Sequence, residues 1–386
     1  MKILILAQSA SNDDIEIITR SLPSQTEYVL LTGSNVTLEG LKIIKTTPHD
    51  SRSLVSRLKC WFGYRKDVLK WAKSAKNEHF DVIYANSNPP INSFLGLKLK
   101  KKFDAPVVYM NWDLYPQIIE ETYPNFVIRT VCSFWHRLNS KNYPKIDQVI
   151  TIGSVMSESI NKPLKKKIDI DIVPIASDPE FLKPVAKEDN IFIKENGLEG
   201  KFIVLYSGKL GYGHNISAII GAAELLRDNK DIVFVFIGKG PRCEEVNKAI
   251  QKGAENVRMY PFQPEEMFKY SMACGDVGIV SQEEKLAHLF LPSKTYSMMS
   301  CGMPVIGMCS DHDDLRKLLE SGSGIAVPNA TPEKIAEAVV DLYNNKEKRT
   351  EMGAKARNII ESEYSEEAVA LKYRAVFDKV TGGGNK

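Results

Sequence analysis

One lysine of this chain stands where helix electrostatics would not place it. Leu291-Pro292-Ser293-Lys294-Thr295-Tyr296 runs into Ser297-Met298-Met299-Ser300-Cys301-Gly302-Met303-Pro304-Val305-Ile306. A proline and a serine open a short helix, and a glycine and a proline close it before a new apolar run. Lys294 falls in the first turn, where the positive end of the helix dipole disfavours a cation. Free amides and an ammonium converging on one spot suit a bound anion, most often a phosphate. The alternative is a surface lysine tolerated at modest cost. On the anion reading Pro292, Ser293 and Thr295 line the same site.

A second candidate is Ser207-Gly208-Lys209-Leu210-Gly211-Tyr212-Gly213-His214-Asn215, which follows the apolar run Val204-Leu205-Tyr206. Gly208, Gly211 and Gly213 let the backbone approach a ligand, Lys209 supplies charge, and the next helix supplies amides. The spacing is neither a Walker loop nor GxGxxG. An ordinary strand-to-helix turn with an exposed lysine remains open, although such a turn needs one glycine rather than three. Gly238, in Ile237-Gly238-Lys239-Gly240-Pro241, repeats the pattern more weakly and reads as a tight turn. Tyr260 and Pro261 either present a flat side to a nucleobase or pack a strand end on the core.

In the front half, Asp113 follows a strand-like run and either orients a hydroxyl or ties down a loop. Asn86-Ser87-Asn88 ends another run and either binds ligand hydroxyls or forms a plain loop. His136 reads as structural, and His288 is a weak candidate for a ligand contact. Asp311-His312-Asp313-Asp314 has the letters of a metal site but reads as a solvated loop and helix N-cap, so no metal is expected.

Strand-like and helix-like patterns must position these residues, and they alternate along the whole chain, as in parallel sheets with crossover helices. Front-half strands are expected at 2–7, 26–31, 42–46, 82–85, 107–110, 148–152 and 171–174. Back-half strands are expected at 202–207, 232–238, 257–260, 277–280, 305–307 and 324–327. The stretch 174–200 is rich in Pro, Asp, Glu and Lys and marks a boundary. Thr331-Pro332-Glu333 starts long amphipathic helices that run to about 380, before Gly382-Gly383-Gly384, which reads as a disordered end. The expected domains are 1–185, 186–365 and a returning C-terminal segment 366–386. Open parallel sheets bind ligands beyond the carboxyl ends of their strands, so two facing sheets would form a cleft.

With 386 residues and a formal charge of +3, the chain is no dedicated nucleic-acid binder. Residues 1–190 carry 26 basic and 21 acidic side chains, so the front half is the basic one. The cysteines lack CxxC pairs and metal-ligand spacing, and read as reduced thiols of a cytoplasmic protein. The first residues read as a buried strand rather than a signal peptide, and no run approaches the ~20 apolar residues of a membrane span. From Arg52 to Lys76, eight basic residues interleave with Leu54, Leu58, Trp61, Phe62, Val68, Leu69 and Trp71. That segment suits peripheral contact with an anionic membrane at the inner face of the cell, or a helix whose apolar face packs on its own sheet.

Taken in order, these motifs resemble the GT-B glycosyltransferases, specifically family four of the retaining enzymes. The resemblance rests on the Tyr206–Gly211 and Phe236–Pro241 segments, Asn256-Val257-Arg258-Met259-Tyr260-Pro261, Ala273-Cys274-Gly275-Asp276-Val277-Gly278, and Pro292 through Ile306. The front half joins it through Asn88-Pro89-Pro90, Trp112-Asp113-Leu114-Tyr115-Pro116 and Asp147-Gln148-Val149-Ile150-Thr151-Ile152, which resemble bacterial surface-polysaccharide transferases. The resemblance implies two Rossmann-like domains facing across a cleft, with the C-terminal helix returning to the first. It implies a nucleotide-diphosphate sugar, UDP-linked, as co-substrate without further cofactor, and a glycan or lipid-linked acceptor held by the first domain. Lys209 and Lys294 then neutralise the diphosphate without a metal. The chain departs from the family where two glutamates are common, showing Leu289 and Ser297, with Glu283 and Glu284 out of register. His214 replaces a second cation, and Ala7-Gln8-Ser9-Ala10-Ser11 replaces an early double glycine. A non-catalytic partner subunit and a nucleotide-sugar epimerase of the same fold are the alternatives.

Overall fold

The computed structural model describes residues 1–50, 52–211, 213–282 and 292–382. The expectations placed on Glu283, Glu284, His288, Leu289, Gly383 and Gly384 fall outside these residues. The chain divides into two units, Met1–Pro174 with Val369–Lys386, and Ile175–Ala368.

The first unit is built on a parallel sheet of seven strands. They are β1 (Lys2–Leu6), β2 (Glu27–Thr32), β3 (Leu41–Lys45), β4 (Val82–Asn86), β5 (Val107–Asn111), β6 (Gln148–Thr151) and β7 (Ile170–Ile172). Their order is β3-β2-β1-β4-β5-β6-β7. β1, β4 and β5 are apolar runs because helices cover both faces of a parallel sheet: Ile3 to Leu6, Val82 to Ala85 and Val107 to Met110 are all at most 1% exposed. At the carboxyl end of β1, Ser11 caps the helix Asn12–Arg20 in a reciprocal pair with Asp14.

The final helix, Glu366–Thr381, belongs to this first unit from Val369 onward. Tyr373 and Phe377 pack their rings on Tyr84 of β4, at 6.1 and 6.3 Å between centroids. Lys379 closes the contact on Asp169 and Asp171, at 2.7 and 3.1 Å. The expected return of the C-terminal helix is therefore made by an aromatic anchor and a charged clasp.

The second unit has a parallel sheet of six strands: β8 (Phe202–Ser207), β9 (Ile232–Ile237), β10 (Val257–Tyr260), β11 (Val277–Ser281), β12 (Val305–Cys309) and β13 (Gly324–Pro328). The order β10-β9-β8-β11-β12-β13 reverses between β8 and β11. Phe234, Phe236 and Tyr206 fill its core with Ile216, Ile219 and Val339 of the covering helices. Thr331 caps the helix Pro332–Asn344, with the proline at its first turn.

The unit boundary lies at Pro174 rather than at the expected 185, because the linker is bonded to the second unit. Ser177 donates its amide to the Tyr364 carbonyl at 2.8 Å and shares a hydroxyl hydrogen bond with Ser300 at 2.8 Å. Arg357 holds the Leu182 carbonyl at 2.8 Å. Composition marks where a chain is polar, but these long-range bonds decide which core it joins.

Candidate functional site

In an open parallel sheet, the point where strand order reverses leaves a crevice beyond the strand ends. In the second unit that point lies between β8 and β11, and the loop after β8 carries Gly208 and Asn215. That loop is tied to the last residue of β11. Asn215 donates its amide to Ser281 Oγ at 2.7 Å, and His214 Nδ1 donates to the Ser281 carbonyl at 2.5 Å.

Lys294 reaches into this crevice from the helix Lys294–Ser300. Its Nζ donates to the Tyr206 hydroxyl at 2.8 Å and stands 4.2 Å from the centre of the Tyr206 ring. Its stem lies over Gly208, where a Cβ would stand 3.2 Å from Lys294 Cε and where φ is +133°. Among the described residues no carboxylate pairs with this ammonium, and burial lowers its pKa from 10.5 to about 7. The site therefore holds a cation whose protein partner is an aromatic ring and a hydroxyl rather than an anion.

Burial also lowers the His214 pKa to about 4, with Lys294 next and the Ser281 carbonyl opposing. His214 is thus neutral near pH 7, with its proton on Nδ1 and a bare Nε2, and brings no second positive charge. Lys209 is exposed, and together with Arg242 it adds to the positive field at His214. Arg242 was not singled out from sequence. It pairs with Glu245 at 2.7 Å and donates to the His214 carbonyl. Its signal was there in the residue directly after Gly240-Pro241.

The glycines divide by role. A Cβ at Gly238 (φ +152°) would collide with the Gly208 carbonyl, and one at Gly240 (φ +148°) with the Leu210 carbonyl. Those two let the β9 loop press against the β8 loop, so Gly238 shapes the site from behind. Gly211 has only ordinary contacts around its would-be Cβ, the nearest being His214 at 3.7 Å. Gly213 is half-buried in the same loop.

Other expected residues of this unit lie as follows. Tyr260 packs edge-on against Phe192 at 5.2 Å, and Pro261 is exposed beside it. Pro292 is buried, Ser293 precedes the helix without a side-chain cap bond, and Ser297 is half-buried. Thr295 is wholly buried with its hydroxyl unpartnered among the described residues. Asp313 caps the helix Asp314–Leu318 by accepting from Arg316 at 2.6 Å, and Asp311 pairs with Arg316 at 2.7 Å.

In the first unit, strand order reverses between β1 and β4. Asn86 and Ser87 are buried, and their side chains are engaged: Asn86 Oδ1 accepts the Asn88 amide at 3.1 Å, while Ser87 Oγ accepts the amides of Trp112 and Asp113 at 3.1 and 3.3 Å. The Asn88 carbonyl accepts from Gln8 at 3.0 Å. These residues brace the ends of β1, β4 and β5. The Asp113 carboxylate has no hydrogen-bond partner among the described residues, and burial raises its pKa while Arg57 opposes the rise. Arg57, one of the eight basic residues between Arg52 and Lys76, is thus turned toward Asp113, and its Nε is buried. The tryptophans of that helix also face inward. Trp61 packs edge-on to Trp135 at 6.3 Å and Tyr115 at 5.9 Å, and Trp71 packs on Phe80 at 6.2 Å.

Residues 187–359 match the glycosyl transferases group 1 family. The "Probable glycosyltransferase WbjE" of Pseudomonas aeruginosa is 25% identical over 304 residues, 76% of this chain and 74% of that protein. The "Putative colanic acid biosynthesis glycosyl transferase WcaI" of Escherichia coli (strain K12) is 29% identical over 202 residues, 51% of this chain and 49% of that protein. The solved Anabaena protein Alr3699/HepE, in complex with UDP, superposes with a TM-score of 0.75 at 15% identity, over 98% of this chain and 100% of that one. The family match supports glycosyltransferase activity, and the third likeness shows the fold, two Rossmann-like units of the GT-B type. The group 1 family match spans the β8 loop, Lys294 and the helix that follows it.

Proposed function

We propose that this protein moves a sugar from a UDP-sugar to a glycan or lipid-linked acceptor in surface-polysaccharide biosynthesis, retaining the anomeric configuration and using lysines rather than a metal at the diphosphate. The observation that carries the reading is Lys294, an ammonium without a carboxylate partner among the described residues, held over Gly208 at the carboxyl ends of β8 and β11. A diphosphate there would replace the Tyr206 hydroxyl as its partner and raise its pKa, so the lysine becomes fully charged when the donor is bound. As the bond from the anomeric carbon to the diphosphate oxygen breaks, its electron pair goes to that oxygen. Lys294 and Lys209 then offset the growing charge. The acceptor oxygen bonds to the anomeric carbon and gives its proton to the departing diphosphate oxygen, and Asp113 is the carboxylate we assign to orienting a hydroxyl in the first unit.

The test is a thermal-shift panel of UDP-, GDP- and dTDP-sugars. A ligand at ~100 times its dissociation constant adds ~2.7 kcal/mol of stability. The UDP-sugar should stabilise the parent protein and lose most of that effect in Lys294→Ala. An unaltered shift in the variant overturns the diphosphate site. Slow, Lys209-dependent hydrolysis of the sugar nucleotide without acceptor supports an enzyme over a binding partner.

A further inference from the structure

The helix Phe126–Asn142 carries two apolar stripes where its own packing needs one. Cys132 is buried beside Trp61, and Ile128 and Trp135 pack against the same small core. These are the inward stripe. One residue earlier at each step, Val127, Val131 and Phe134 make a second stripe at the same helical spacing, rotated by about 100°. That stripe faces solvent: Phe126 is 84% exposed, Val127 68%, Val131 56% and Phe134 62%. Scattered exposed apolar residues are ordinary, but a contiguous stripe led by two phenylalanines is not.

The stripe ends at a groove of about 650 Å³, lined by Phe134, Leu138 and Pro163 on its apolar side and by Arg137, Lys141 and Lys165 on its cationic side. The neighbouring helix Leu54–Ser74, joined through Trp61 and Trp135, repeats the chemistry. It exposes Val55, Leu58 and Phe62, flanked by the exposed cations Lys59, Arg65, Lys66 and Lys70. Its one acid, Asp67, is turned away to hold Thr47 at 2.8 and 2.6 Å. Among the described residues no carboxylate pairs with those four cations.

We propose that the first unit docks on an anionic lipid bilayer through the helix Phe126–Asn142. Phe126, Val127, Val131 and Phe134 enter the headgroup–acyl boundary, and Arg137, Lys141 and Lys165 meet lipid phosphates at the groove. Apolar side chains with a cationic rim match a surface that is apolar beneath and negatively charged above, and water satisfies only the rim. This moves the expected membrane contact from the tryptophans of 52–76, which lie inward, to the outer stripe of the next helix. It is independent of the donor site in the second unit.

The experiment is flotation of the full chain with phosphatidylcholine vesicles containing about a third phosphatidylglycerol. The parent should float with these vesicles, bind neutral phosphatidylcholine vesicles weakly, and detach as salt rises from about 0.1 to 1 M. The variant Phe126→Ser/Val131→Ser/Phe134→Ser should bind about tenfold less, or weaker still. The variant Arg137→Glu/Lys141→Glu should lose the preference for anionic vesicles. An unchanged UDP-sugar thermal shift in both variants shows that they fold. Absence of parent binding, equal binding to neutral vesicles, or binding retained in both variants overturns the proposal. So does a parent dimer in light scattering that the serine variant converts to monomer, because a second copy then covers the stripe.

Discussion

The Lys294 ammonium and the Tyr206 ring face one another at 4.2 Å, with the tyrosine hydroxyl accepting at 2.8 Å. Tyr206 is the penultimate residue of β8, and Lys294 opens the helix that precedes β12. The pair therefore bridges the two sides of the switch point, and it holds the lysine with no anionic partner among the described residues.

Because that cation is held by burial against its own solvation, Lys294→Met should leave the ligand-free protein at least as stable as the parent at pH 7. The folded pKa is about 7 against an ordinary 10.5. Between those values the unfolded chain holds a proton that the folded chain has released, so the parent gains stability as pH rises through the window. Below pH 7 the full cost is present. Melting curves should show the variant's advantage shrinking from pH 7 to pH 10. A variant clearly less stable at pH 7 contradicts this account.

Binding of UDP should take up protons above pH 7. A nearby diphosphate raises the Lys294 pKa back toward its ordinary range, and His214, neutral with a pKa of about 4, contributes little there. Calorimetry at pH 8 in buffers of different ionisation enthalpy reads the uptake, which should approach one proton per site and vanish in Lys294→Met. Identical binding heats across buffers in the parent would show that the anion sits elsewhere.

Two glycine variants should separate scaffold from site. Gly238→Ala drives a methyl group into the Gly208 carbonyl at φ +152° and should cost about 1–3 kcal/mol of stability. Gly208→Ala meets only the flexible end of Lys294 at 3.2 Å, although φ is +133°. Its larger effect should be on UDP affinity, through a displaced ammonium. Equal losses of affinity and stability in the two variants would argue against this division.

Removing the Ser281 hydroxyl should loosen the link between the β8 loop and the end of β11. Ser281→Ala leaves the Asn215 amide without its 2.7 Å acceptor and should cost about 1–3 kcal/mol. Chemical denaturation measures it, and a loss well under that range would mean the loop finds another acceptor.

Asp113→Asn should lower transfer activity by about a hundredfold, the low end of a general acid–base contribution, while leaving UDP binding intact. Burial raises the Asp113 pKa, so ionisation costs the folded state and stability falls as pH rises above the ordinary carboxyl value. The neutral amide escapes that cost, and the variant should melt no lower than the parent at pH 7. Full activity in the variant removes Asp113 from the reaction.

All thirteen expected strands correspond to strands of the two sheets, with ends displaced by a few residues at most. Buried parallel strands are unbroken apolar runs, and that signal survives without any knowledge of neighbours. The helix at 54–74 was harder to orient. Its apolar residues surround the axis, so periodicity alone left two faces equally eligible for the interior. Trp61 and Trp71 went inward because Trp135, Tyr115, Phe80 and Phe103 wait there. Arg57 followed them toward Asp113 for the same reason of placement.

Residue order alone determined the alternation of strand and helix, the glycine loop after β8 and the lysine before β12, because each is a local pattern of apolarity, backbone freedom or charge. Only the tertiary structure decided that Lys294 rests on Tyr206, that His214 is neutral, that Gly238 serves Gly208, and that the outer stripe at 126–134 is left in water. Each of those depends on which distant groups meet and how much solvent they exclude, and neither quantity is written in any short stretch of chain.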